Sequence, residues 1–276
     1  MVHAQMMENA MPQVPAADRT IAVLRYLAGQ HRPVTAVAIA RDLGLPRSST
    51  YHLLTALAEA SFVTHLPQEQ RWALGVGAFE LGSAYLRSEP LERFSRPLLH
   101  RLAHDTAVAS HVAVLDGRDV VYLATERPPQ TVPLVVDVGV RLPAHLTASG
   151  RTLLATRTSA QLHALFPDRA SLTRRTEAGP TTPAALRRVL REVQRDGVGR
   201  EDGEVDPRLA SVAVAARDHL DRAVAAITLT FLSSEHDRSA RDVLAAQARV
   251  VADLLTSRLG GRAASAPPIT PPITPS

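Results

Sequence analysis

Cysteine is absent from all 276 residues, which removes disulfides, thiol catalysis and any cysteine cage for a metal. Lysine is absent as well, so all 31 basic residues are arginine, a bias that reads as GC-rich codon usage. Aromatic residues make up only 4%, with a single tryptophan. No window approaches eighteen uninterrupted apolar residues, so no segment is expected to span a membrane. The N-terminal run M-V-H-A-Q-M-M-E-N-A-M-P has neither the basic start nor the apolar stretch of a signal peptide. The expectation is a cytoplasmic protein. Enzyme signatures are missing too: there is no G-x-S-x-G elbow, no P-loop and no dinucleotide G-x-G-x-x-G, since Gly82 lies too far beyond Gly75-x-Gly77. His100 and His104 stand i, i+4 beside Asp105, but no glutamate follows the first and no third ligand is evident. No cofactor and no metal site are expected.

What is present is long enough for two domains, with 45% hydrophobic residues to build their cores. Net charge is only +4, and residues 18–87 carry seven arginines against five acidic residues. Charge alone therefore does not nominate nucleic acid. A motif does. The stretch from Thr35 to Leu57 reads as two short helices joined by a turn at Gly44-Leu45-Pro46. In the first, Ala36, Ile39, Ala40 and Leu43 form one apolar stripe, with Thr35 as its cap and Gly44 at its left-handed end. In the second, Leu53, Leu54 and Leu57 face inward, whereas Ser48, His52, Thr55 and Glu59 share the other side with Arg47 at its edge. A leucine-backed helix with small hydrogen-bonding groups at its N-terminal end suits the major groove. Thr35, Arg47, Ser48, Ser49, Thr50, His52 and Arg71 are the candidate DNA contacts, and a plain helical hairpin is the alternative.

Upstream, residues 1–16 read as a disordered arm, followed by a helix capped by Asp18 with Ile21, Leu24, Leu27 and Ala28 inside. Downstream, 62–65 and 71–74 alternate as strands around a polar turn, the layout of a winged helix-turn-helix over 17–76, in which Arg71 or His65 would approach phosphates. Residues 77–89 suggest a linker helix too apolar to stand free, and 91–104 a further amphipathic helix. Strands follow at 110–115, 119–123 and 131–136, with Asp116-Gly117-Arg118 as a hairpin turn. Helices are expected over 153–166 and 183–195, strands over 209–216 and 223–232, and a long helix over 240–259. Antiparallel strands bracketed by helices make an α+β effector-binding domain over 90–260. The proline-rich tail, 261–276, reads as disordered.

The run A-x-x-I-A-R-D-L-G-L-P-R-S-S-T-Y-H-L-L-x-x-L, followed by R-W-A-L-G-x-G-x-x-x-L-G, resembles the IclR family of bacterial transcriptional regulators. So does Val138–Arg151, against the family segment G-x-R-x-P-L-H-x-T-A-x-G-[KR]. Glu201–Leu229 resembles the family's acidic loop and closing strand pair. The resemblance implies a winged helix-turn-helix, a linker helix and a GAF-like effector-binding domain, working as a homodimer or homotetramer on double-stranded DNA, with a repressor as the favoured mode. The chain departs from the family at Ser211 for Cys, Ala215 for Pro, Asp221 and Ser61 for Gly, and Ala144 for Leu.

The residues carry a site reading of their own. Thr147-Ala148-Ser149-Gly150 is a small-residue turn opening a helix, where backbone N–H groups favour an anion. Thr228 and Thr230 alternate with Ile227 and Leu229, so both hydroxyls face one side. Ser211 joins them by the resemblance. Ala148, Ser149, Gly150, Glu201, Ser211, Thr228 and Thr230 are thus the candidate contacts for a small-molecule effector, a small organic or aromatic acid. Alternatives are a GAF-like small-molecule-binding module that acts through protein partners, and a hydrolase with an accessory helical domain. If DNA is the partner, two winged helices would meet an approximately palindromic operator, half-sites about one helical turn apart or a multiple of it.

Overall fold

The computed structural model describes residues 14–30, 32–88, 90–129 and 136–262. The chain divides into two compact units, one ending at Ser88 and one beyond it.

The first unit begins with α1 (Pro15–Ala28), α2 (Ala36–Asp42) and α3 (Arg47–Glu59). Pro15 opens α1, a position where its missing N–H costs nothing, so Asp18 sits inside the first turn and is not the cap expected of it. The buried side of α1 is also turned from the expected one: Val23 and Leu27 are buried, whereas Ile21 and Ala28 are exposed. Thr35 caps α2 as expected, its hydroxyl accepting from Ala38 N at 3.2 Å. Gly44, at φ 63°, supplies the left-handed step that turns the chain into α3. Val23, Leu27, Ile39, Leu54, Leu57, Val63 and Trp72 form one core.

The hairpin β1 (Val63–Leu66) and β2 (Arg71–Leu74) pairs antiparallel, Val63 opposite Leu74. Trp72 also exchanges backbone bonds with Val34, at 2.7 and 2.9 Å, which ties the wing to the segment before α2. Gly75 follows because a Cβ there would lie 2.3 Å from the carbonyl oxygen of Ser61. Helix α4 (Val76–Ser88) leaves Phe79 73% and Leu81 64% exposed.

In the second unit, α5 (Pro90–Thr106) leads into an antiparallel sheet of six strands among the described residues. Its strands are β3 (Ala109–Asp116), β4 (Asp119–Glu126), β5 (Arg141–Pro143), β6 (Gly199–Asp202), β7 (Leu209–Arg217) and β8 (Ala223–Leu232). They lie side by side in the order β5-β4-β3-β8-β7-β6. The short edge strands β5 and β6 have no alternating apolar pattern, and the sequence did not announce them. The strand expected over 131–136 lies outside the described residues save for Val136, as does most of the Pro-rich tail.

One face of the sheet presents Val112, Ile227, Leu229, Val212 and Val214 to α5 and to α9 (Arg238–Arg258), where Leu98, Leu102, Leu244, Val251 and Leu255 complete the core. The other face meets α6 (Ala148–Leu154), against which α8 (Pro183–Asp196) packs, and leucines of α7 (Ser159–Leu165) join the same apolar cluster. The single helix expected over 153–166 is therefore two. Helix α6 starts at the Thr147 cap and ends by 155, and a capping box between Thr158 and Gln161 starts α7 afresh. Where α6 crosses the sheet, contact is close. A Cβ on Gly150 would lie 2.2 Å from the Ala144 carbonyl oxygen, and one on Gly199 would lie 2.2 Å from Thr152 Oγ1. Small residues Ala113, Ala213 and Ala226 leave room on the strands.

Candidate functional site

Two places match the expected chemistry. On α3, Arg47, Ser48, Tyr51, His52 and Thr55 are exposed and Ser49 is half-buried. Pro46 precedes the helix and lends no side-chain cap, so its first-turn N–H groups are left to an outside acceptor such as a phosphate. Thr50 is a correction. It is wholly buried, and its hydroxyl donates to the Pro46 carbonyl at 3.1 Å, so it anchors the helix from within and is no part of the DNA edge. Helical geometry explains this, because position 50 lies one turn before Leu54 on the leucine side. Tyr51, exposed between Thr50 and His52, was missed, although the same helical count would have placed it outside. Thr35 is half-buried and held by its capping bond. Arg71 is exposed but donates to the Pro33 carbonyl at 2.8 Å, bracing the wing. His65 stacks on Trp72 with ring centroids 4.3 Å apart.

The second place is a small cavity between the sheet and the start of α6. Its polar wall is Tyr122, Thr147, Glu201, Ser211, Thr228 and Thr230, and its apolar wall includes Val136, Leu142 and Leu209. Register brings these together: Glu201 is opposite Ser211, and Ser211 is opposite Thr230. The Ser211 and Thr230 hydroxyls lie 3.1 Å apart, and Tyr122 reaches Ser149 at 3.3 Å. Of the expected contacts, Ala148, Glu201, Ser211, Thr228 and Thr230 line the cavity, and Ser149 touches its wall. Gly150 does not line it. Its N–H is taken by Thr147 Oγ1 at 3.0 Å, which weakens the expectation that this helix start alone holds an anion. The cavity encloses about 20 Å³, close to what one water requires.

Burial dominates the electrostatics. Glu201 is pushed up to about 7, first by burial and then by the neighbouring Glu204 carboxylate, while backbone bonds, Ser211 and Arg151 pull the other way. Its Oε1 accepts from the Glu204 and Val205 amides at 3.0 and 3.3 Å. Arg151, only 4% exposed, ties the wall together: it pairs with Glu204 at 2.8 Å and donates to the His145 and Arg200 carbonyls. Tyr122 is pushed up to about 12 by burial. Tyr122 and His111 escaped sequence reasoning because a tyrosine or histidine inside a strand pattern looks like ordinary core, and nothing around Arg151 signalled that its side chain would be buried. Among the described residues no group of three or more histidines and carboxylates could hold a metal.

Comparisons with known proteins bear on both units. Residues 16–67 match the IclR helix-turn-helix domain, and residues 83–256 match the family described as bacterial transcriptional regulator IclR C-terminal. The HTH-type transcriptional repressor AllR of Salmonella typhi is 30% identical over 251 residues, covering 89% of either chain. The acetate operon repressor of Salmonella typhimurium is 28% identical over 220 residues, 79% of this chain and 80% of its own. An IclR homologue from Microbacterium hydrocarbonoxydans, solved in complex with 4-hydroxybenzoate, superposes with a TM-score of 0.76 at 23% identity, covering 88% of this chain and 98% of its own, and so supports the fold. With that helix-turn-helix at one end and that domain across the other, the chain belongs to the IclR family of bacterial transcriptional regulators.

Proposed function

We propose that this DNA-binding regulator is a repressor whose operator affinity is set by a small organic or aromatic acid held between α6 and the sheet. The observation that carries the reading is the small cavity in which a row of hydroxyls and Glu201 faces an apolar wall. A ligand larger than a water enters only if the wall moves, so occupancy favours a different arrangement of the effector unit. A ligand shifts an equilibrium only by its differential affinity for the two arrangements, commonly about 1–3 kcal/mol. The acid is met by the Ser211 and Thr230 hydroxyls and by Glu201 in its neutral form, since two carboxylates cannot both stay ionised in so small a space. The neighbour solved with 4-hydroxybenzoate supports this ligand class.

The DNA-reading edge is Arg47, Ser48, Ser49 and His52, with Tyr51 added and Thr35 and Arg71 as supports. Val76, Phe79 and Leu81, exposed on α4, are the surface through which two copies pair, as a homodimer or within a tetramer. Two copies then read an approximately palindromic operator. The relatives are regulators and not enzymes, and we assign no catalysis here; no described helix is long and apolar enough to cross a membrane. A protein that reads chromosomal operators works in the cytoplasm. The test is a mobility shift with DNA from the protein's own upstream region, with and without acids such as 4-hydroxybenzoate. A retarded band released by an acid supports the proposal, and no retarded band at any salt concentration removes it.

A further inference from the structure

Two polar atoms beside the cavity are buried without any hydrogen-bond partner: Nε2 of His111 and Oγ1 of Thr228. A third such atom, Nδ1 of His145, belongs to a ring held by the Thr173 carbonyl against Phe166, outside the cavity wall. Buried polar groups are nearly always paired, so an unpaired couple marks a place where a partner belongs. His111 and Thr228 are directly opposite in the β3–β8 ladder, hence on one face with their Cβ atoms roughly 5 Å apart. Thr228 lines the cavity, and the His111 ring meets the lining residue Tyr122 edge-on, centroids 5.7 Å apart. The other imidazole nitrogen, Nδ1, is committed to the Thr125 hydroxyl at 3.2 Å. Burial, and then the Arg127 guanidinium, hold His111 down to about 3, so the ring is neutral at any working pH.

We propose that His111 and Thr228 form a hydroxyl-recognising end of the effector site, so that the effector is a hydroxylated carboxylic acid. The inference rests on the acid reading above and adds its second functional group. In the tautomer whose Nδ1–H donates to Thr125, the neutral ring offers the lone pair of Nε2 and Thr228 offers its O–H; in the other, Nε2–H donates and the Thr228 oxygen accepts. A ligand hydroxyl answers both at once in either tautomer, giving its proton to one and accepting from the other. A keto oxygen or a second carboxylate only accepts, so it meets Nε2 in one tautomer alone, whereas a hydroxyl meets it in both. A hydrogen or methyl in that place leaves both unmet.

The test is calorimetry on the full chain with two matched pairs, 4-hydroxybenzoate against benzoate and 3-hydroxybutyrate against butyrate. In at least one pair the hydroxylated member binds at least about tenfold more tightly, as expected where a site built for a hydroxyl meets an analogue without it. Thr228→Val and, separately, His111→Phe bring that ratio near one, because the hydroxylated member loses more affinity than the plain acid does. The His111 ring nitrogen resonance moves with the hydroxylated member alone. If His111→Phe fails to fold by circular dichroism, Thr228→Val decides. Equal binding of plain and hydroxylated acids, or a ratio that survives substitution, overturns this inference and leaves the acid reading standing. No binding by any of the four acids overturns both.

Discussion

The proposed DNA-reading edge and the proposed effector cavity are built on opposite principles. On α3 the functional groups are exposed and mostly uncommitted, and the fold's work is hidden behind them in Thr50, Leu54 and Leu57. In the cavity the candidate groups are themselves buried, several of them tied to one another, and Glu201 and Tyr122 are shifted in pKa by the burial. An exposed edge tolerates substitution without structural cost, because water replaces what is lost. A buried polar cluster does not, since any change leaves a neighbour unpaired. Function and stability should therefore separate on α3 and stay entangled around α6.

The largest expected break of that symmetry is Gly150→Ala. The new Cβ would stand 2.2 Å from Ala144 O and 2.4 Å from Ala144 Cα, both backbone atoms that cannot give way. The effector unit should lose at least about 3 kcal/mol. The single tryptophan, Trp72, lies in the core of the first unit and serves as a local reporter. In urea, the circular dichroism transition of the second unit should move to lower concentration while the Trp72 fluorescence transition stays in place.

Next comes pH. Glu201 is near 7 in the folded protein against an ordinary 4.5, so its contribution is fully present below 4.5 and is lost as pH rises toward 7. His111 is near 3 against 6.5, so its contribution is present above 6.5 and is lost as pH falls toward 3. Between 4.5 and 6.5 the two slopes oppose each other, each at most about 1.4 kcal/mol per pH unit. Thermal melts should show Glu201→Gln losing stability on acidification through this window. His111→Phe should gain it. If both variants keep the wild-type pH profile, neither group is shifted as described.

Arg47→Ala tests the other side of the comparison. It should cost about 1–3 kcal/mol of operator binding with no change in melting temperature. Footprints at several salt concentrations separate the modes: a lower salt dependence marks a phosphate contact, and a relaxed sequence preference marks a base. Thr50→Val should do the reverse, lowering stability by about 1 kcal/mol through loss of its bond to Pro46.

The smallest effects are gains. Ser61 and Asp221, which depart from the family's glycine, both have positive φ, 60° and 58°. Ser61→Gly and Asp221→Gly should each stabilise by roughly 1 kcal/mol. Only the first should register in Trp72 fluorescence, because Asp221 belongs to the other unit.

The same contrast governs what the sequence could tell. Helices with an apolar stripe and a cap, such as α2 and α8, and hairpins with alternating strands were legible because local chemistry decides them. The two helices and their turn were legible for the same reason, whereas Thr50 proved buried and Thr35 and Arg71 proved committed to bonds within the fold. Strands β5 and β6 were not, because pairing with a neighbour creates them and no pattern of their own does. The hydroxyls of Thr228 and Thr230 were legible from strand alternation. His111 was hidden: its unpaired Nε2 is visible only once the register sets it opposite Thr228.

The central claim is that ligand chemistry and DNA chemistry reside in separate units and meet only through conformation. The most direct test is the double variant Ser211→Ala with Thr228→Val in a mobility shift on the upstream DNA, titrated with the acid that releases the wild type. The account predicts operator affinity within about threefold of wild type and no release by the acid. Release as in the wild type, or loss of operator binding in a variant that still folds, would contradict it.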